Sequence, residues 1–184
     1  MKRTLFGLLV AALIVPAAFA ADPSASSPSA ACKTLKQTAP AMFGAGKTYR
    51  NLGACVSGKS VQSAQNTANA AKACRTEQAD ANFAAGHNSH SFADFYGSST
   101  NGNGKGQGNG NAFGKCVSGK AQAATAAQQS AELNAAKQCK AQRADTSFAA
   151  TANHGGKSFS DFYGTNGNKK NAFGKCVSTL AKAK

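Results

Sequence analysis

The sequence predicts a mainly α protein built as three tandem disulfide-stapled helical hairpins joined by long shared helices. Three observations predict it. The chain carries six cysteines, an even number. It aligns with itself three times, two cysteines to a copy. The segments between copies are rich in Ala, Gln, Lys and Glu and hold no proline, a composition that favours helix.

The 184 residues begin with Lys2 and Arg3, an apolar run from Leu5 to Val15 and the small-residue exit Ala18-Phe19-Ala20, the layout of a signal peptide over 1–20. That run has about half the roughly 20 apolar residues a membrane-spanning helix needs, and no later stretch approaches that length. Residues 21–30, ADPSASSPSA, read as a flexible leader. The expectation is a secreted or periplasmic protein with no transmembrane segment. Without residues 1–20 the net charge is +12, against +14 for the whole chain. A charge of that size favours encounters with anionic partners.

Apolar burial alone is too small to hold this chain. Forty residues are Ala, and beyond residue 20 there are four Leu, four Val, nine Phe and no Ile. Such a composition lies in the range of disordered chains. Disulfides in an oxidising compartment supply what the core lacks.

Repeat 1 covers 31–59 and is degenerate. It keeps both cysteines and the ending CVSGK but has Arg50-Asn51-Leu52-Gly53 where the other copies have NAFG. Repeat 2 covers 71–120 and includes a Gly/Asn-rich loop over 98–111; repeat 3 covers 136–182. Pairing inside each unit, Cys32 with Cys55, Cys74 with Cys116 and Cys139 with Cys176, leaves no cysteine over. Pairing between units would join Cys55 to Cys74 and Cys116 to Cys139 along segments that read as continuous helix. At 1.5 Å per residue those sulfurs would stand roughly 28 and 34 Å apart, far beyond disulfide reach.

Within the shared stretch NAFGKCVS, Asn111 and Asn171 fall where a helix N-cap belongs. Phe113 and Phe173, three residues before the cysteine, project within roughly 60° of it. Gly114 and Gly174 point nearly the other way, which permits close approach of a neighbour. The connectors SFADFYG (91–97) and SFSDFYG (158–164) begin with Ser-x-x-Asp, a capping-box pattern, and end in Gly. Phe83, Phe92, Phe95, Tyr96 and Phe113, and their counterparts Phe148, Phe159, Phe162, Tyr163 and Phe173, are the expected small aromatic cores.

With its basic Cys helix, FYG connector and NAFGKCVS helix, the chain resembles the tandem cysteine-paired repeats of small exported bacterial proteins, largely from actinobacteria. The resemblance covers 73–182 closely and 32–59 loosely. It implies export and a helical repeat, and it supplies no activity, cofactor or site.

Candidate chemistry is sparse. His87-x-x-His90 is the one metal-like pair, and it reads as a solvated loop because a useful site needs at least three convergent ligands. Glu77 and Glu132 read as lone helical carboxylates, Asp94 and Asp161 as caps, Asp80 and Asp145 as helix ends. No nucleophile motif stands out, and no cofactor is expected. The basic residues are more ordered: at minus two, plus one and plus four from the first cysteine of a unit stand Lys72 and Arg75, then Lys137, Lys140 and Arg143, with Lys33 and Lys36 in repeat 1. This spacing forms one stripe on a helix that an anionic polymer could follow. The expected function is a secreted non-enzymatic binding or structural module. The alternatives are a cationic binder of anionic envelope polysaccharide or nucleic acid and, from another class, an envelope hydrolase.

Overall fold

The computed structural model describes residues 25–97 and 111–183. The segment 1–20 expected to be a signal peptide and the Gly/Asn-rich loop expected up to residue 110 lie outside them. Among the described residues the elements are α1 (Pro28–Thr38), α2 (Leu52–Ala79), α3 (Phe83–Gly86), α4 (Phe92–Gly97), α5 (Ala112–Ala144), α6 (Phe159–Tyr163) and α7 (Ala172–Lys182), with three short 3-10 turns in the connectors.

The three disulfides are Cys32–Cys55, Cys74–Cys116 and Cys139–Cys176, with Cα atoms 6.0 to 6.1 Å apart. All six cysteines are fully buried. Each long helix is shared: α2 carries the second cysteine of repeat 1 and the first of repeat 2, and α5 does the same for repeats 2 and 3. Partners on α2 and α5 run in opposite order, 59 with 132, 66 with 125 and 77 with 120, so the two helices are antiparallel. Their apolar contact positions are mainly small, such as Ala70 and Ala121. Polar groups fill the remainder, with Asn66 Nδ2 donating to Thr125 Oγ1 at 2.9 Å and to Gln128 Oε1 at 2.8 Å.

The leader does not run free to residue 30. Pro28 opens α1, where its missing N–H costs nothing, and Ser27 Oγ accepts from Ala30 N at 3.2 Å. Ser26 is held to α5 by Gln129, whose Nε2 donates to the Ser26 carbonyl at 2.9 Å and whose Oε1 accepts from Ser26 Oγ at 2.9 Å.

The helix caps also differ from expectation. Asn51, in the degenerate repeat, is the asparagine that caps: its Oδ1 accepts from Ala54 N at 2.9 Å. Asn111 and Asn171 make no side-chain cap bond. The reason is backbone conformation. Asn51 is extended, as an N-cap must be for its side chain to reach N3, whereas Asn111 and Asn171 have ψ of 10° and −3°. Asn171 instead ties its own connector, accepting from Thr165 N at 3.1 Å and donating to Thr165 Oγ1 at 2.7 Å. Ser91 and Ser158 do cap, each accepting at 3.2 Å from the amide of the Asp three residues on.

The units are not packed alike. Repeats 1 and 3 share one core, in which Leu35, Met42 and Cys55 meet Ala136, Phe148, Phe173 and Val177. Repeat 2 has its own smaller core around Phe83, Phe92, Ala112 and the Cys74–Cys116 bridge. The connector of repeat 1 lies across α7: Thr48 stands against Gly174 so closely that no Cβ fits there, and Lys47 Nζ donates to the Lys170 carbonyl at 2.9 Å. Phe95 and Phe162, expected in the cores, are instead 39% and 40% exposed.

Two predictions follow from this packing. Gly174→Ala should lower stability by about 1–3 kcal/mol through overpacking against Thr48, and Thr48→Gly should recover part of the loss. Gly114→Ala meets only the side chain of its own Asn111, which can rotate away; helix propensity should then leave stability unchanged or raise it by up to about 1 kcal/mol. Thermal melts of the three variants check both. Removing the Cys74–Cys116 bridge by a double Ala substitution, with a 42-residue separation and so small a core to support it, should cost about 4 kcal/mol in the chain-entropy account. Hydrogen exchange should then show repeat 2 opening while α1, α7 and the bridge between Cys139 and Cys176 stay protected.

Candidate polyanion interface

The basic residues of the stripe are placed by the bridges. Burying Cys74 and Cys139 fully against the second helix of each unit leaves the flanking Lys72 and Arg75 on α2, and Lys137, Lys140 and Arg143 on α5, exposed. Lys33 and Lys36 flank Cys32 on α1 in the same way. Neither of the two ion pairs among the described residues includes any of them. Arg143 alone is partly committed, its guanidinium carbon 5.6 Å from the centre of the Phe173 ring, a cation–π contact.

Carboxylates behave differently: all six described ones are engaged internally. Asp80 Oδ1 accepts from Asn82 N at 2.9 Å, and Asp145 Oδ1 from Ser147 N at 2.8 Å, closing the turns after the long helices. Asp94 and Asp161 accept the hydroxyls of the capping Ser91 and Ser158. Glu77 and Glu132, read from sequence as lone, each hold two helices together. Glu77 Oε1 pairs with Lys120 at 2.9 Å and its Oε2 accepts from Tyr96 Oη at 2.8 Å. Glu132 pairs with Lys59 of α2 and accepts from Tyr49 Oη at 3.1 Å. One signal for these contacts lies in the repeat alignment: Tyr96 and Tyr163 sit at matching positions, and Tyr163 Oη donates at 2.9 Å to Gln142, which stands three residues after its cysteine as Glu77 does.

Burial by itself raises the Glu77 carboxyl, but the hydrogen bonds from Lys120 and Tyr96 outweigh it and hold the group below the ordinary value of 4.5. The Lys120 ammonium is raised, chiefly by its bond to Glu77. Tyr49 is raised well beyond the usual phenol range by burial and then by the Glu132 charge.

Lys59, Glu132 and Tyr49 also line a groove of about 900 Å³ between α2, α5 and α7. An acid and a base in one cleft is what a hydrolase would need. Here both carboxylate oxygens of Glu132 are taken, by Lys59 and Tyr49, and the three side chains join α2, α5 and the repeat 1 connector. The cluster is therefore a clamp between units.

The histidines are not merely loop residues. His87 stacks on Phe83 with ring centres 3.8 Å apart, and His154 stacks on Phe148 at 3.7 Å. Each Nδ1 lies 2.7 Å from the carbonyl of the stacked Phe, an acceptor, so Nδ1 carries the proton. His90 stays exposed. Among the described residues no three His, Cys, Asp or Glu come together as a metal site.

No family model, curated protein or solved structure matches this chain. Among the described residues no helix is long and apolar enough to cross a membrane. The three disulfides fit an oxidising, extracellular setting.

A pH prediction follows from Glu77. Its folded value is depressed, so its contribution to stability is present above 4.5 and is lost as pH falls through the folded value. Glu77→Gln should therefore be less stable than the wild type at neutral pH, and the gap should close on acidification below 4.5. Chemical denaturation across that pH range checks it; a gap that does not change with pH would remove Glu77 as its source.

Proposed function

We propose that this protein is an exported, non-enzymatic helical binding module that engages anionic polymer through its cationic surface. The supporting observation is the division of charge. Glu77 and Glu132 pair with lysines between helices and the four exposed Asp residues serve caps and turns, while the ordered basic residues beside the cysteines face outward with none of them in an ion pair among the described residues. Export rests on the opening segment and on the resemblance to exported repeats, and the disulfides are consistent with it. Recognition of this kind reads charge and spacing, so it suits a polymer with regularly placed anions better than a small ligand.

Binding to immobilised heparin should weaken steeply with salt, because each phosphate- or sulfate-like contact releases counterions. Lys137→Gln with Lys140→Gln should lower affinity and flatten the salt dependence. Lys157→Gln with Lys182→Gln, an equal loss of exposed charge outside the stripe, should have a smaller effect. Equal losses from the two pairs would mean diffuse attraction and no interface.

A further inference from the structure

In sequence the basic residues beside the first cysteines form one repeated pattern, but the fold divides them between two places. Lys59 of α2 meets Glu132 of α5 and Glu77 meets Lys120, so Cys55 lies level with residues near Ala136 and Cys74 with residues near Lys120. Cys32 is bridged to Cys55, and Leu35 shares a core with Ala136. Lys33, Lys36, Lys137 and Lys140 are therefore gathered at the end where repeats 1 and 3 pack together. Lys72 and Arg75 stand at the opposite end, beside the Cys74–Cys116 bridge. From Cys55 to Cys74 the helix runs roughly 28 Å at 1.5 Å per residue.

The two places also face opposite ways. A helix turns about 100° per residue, so Lys59, Asn66 and Glu77 fall within roughly 20° of one direction, the side of α2 that meets α5. Lys72 and Arg75 project roughly 130° and 170° from that side. On α5, Thr125, Gln128 and Glu132 mark the side that meets α2, and Lys137 projects roughly 150° from it. All of these cations are exposed. A straight strand laid along the outer flank of α2 thus leaves the cluster on α5 free for another. Beyond the six carboxylates placed above, the sequence holds only Asp22, so the chain itself cannot neutralise the two clusters.

We propose that the module holds two strands of anionic polysaccharide at once, one at each end, and so bridges them. This rests on the polymer reading above and adds to it the stoichiometry and the class of polymer. Polysaccharide fits better than nucleic acid because the residues beside these cations, Ala71, Ala73, Thr76, Ala136, Gln138 and Ala141, include no aromatic ring on which a base could stack. The cation–π contact of Arg143 uses Phe173, whose ring is buried and offers no face to a base. The end shared by repeats 1 and 3 carries more of the cations and fills first.

Heparin oligosaccharides shorter than about 28 Å cannot touch both ends, so a mixture labelled with a fluorescence donor or an acceptor tests the proposal on the full, oxidised chain at low salt. Anisotropy reads binding, and energy transfer reads two oligosaccharides on one protein. Both should rise, with saturation at two oligosaccharides per chain. Lys72→Gln with Arg75→Gln should bring saturation to one, abolish the transfer and leave the affinity of the remaining site within about twofold. Lys157→Gln with Lys182→Gln, the same loss of exposed charge outside the stripe, should leave transfer and stoichiometry unchanged. Anisotropy that rises without transfer would overturn two-strand binding and leave the polymer reading in place. So would transfer that survives the changes at Lys72 and Arg75, or that falls as much with those at Lys157 and Lys182. No rise in anisotropy would overturn the polymer reading and the bridging with it. Transfer between short DNA duplexes where the heparin pair gives none would overturn the assignment to polysaccharide.

Discussion

Everything in this fold depends on the fact that each long helix is fastened twice. A cysteine near the start of α2 ties it back to α1, and one near its end ties it forward to α5; α5 is held in the same manner to α2 and α7. Two fixed points on a rigid rod set its rotation as well as its position. The helix face that carries the bridge is buried, and the opposite face is committed to solvent. A chain with so few large apolar residues could not set that orientation by burial alone, since an Ala-rich helix turns in its packing with little loss.

Fixing the rotation makes a polar inter-helix contact workable. The Lys59–Glu132–Tyr49 and Asn66–Thr125–Gln128 clusters would each be costly if a partner were missing, because an unpaired buried polar group loses its water with no return. The bridges keep the partners opposed, so the clusters serve register: a helix shifted by one residue would leave Asn66 and Lys59 without their acceptors. Small apolar residues bring the helices close, and the polar pairs determine which close arrangement is used.

The duplicated stretch NAFGKCVS shows how one sequence serves two environments. In both copies its cysteine makes the equivalent bridge, while its phenylalanine is buried in the shared core for Phe173 and only partly buried against the repeat 2 core for Phe113. The glycine differs. Gly174 is needed because another unit's Thr48 rests on it, while Gly114 has only its own Asn111 beside it. Charge is divided by residue type: Glu77 and Glu132 pair with lysines between helices, the Asp residues serve caps and turns, and the ordered basic residues lie outward and unpaired among the described residues.

Much was legible in the sequence because repetition turns a global problem into a local one. Cysteine count and repeat register dictated the pairing, helix-forming composition dictated the shared helices, and Ser-x-x-Asp dictated the connector caps. These are near-neighbour effects or follow from the length of a rigid helix. The capping asparagine was not legible: Asn111 and Asn171 stand five residues before their cysteines and Asn51 four, and only Asn51 has the extended backbone that lets its side chain cap. Nor were the lysine partners of Glu77 and Glu132, which come from the other long helix tens of residues away. The packing of repeat 1 on repeat 3 was decided by tertiary structure alone, because it depends on how two bridged rods cross, and that angle is the sum of side-chain fits that no local pattern encodes.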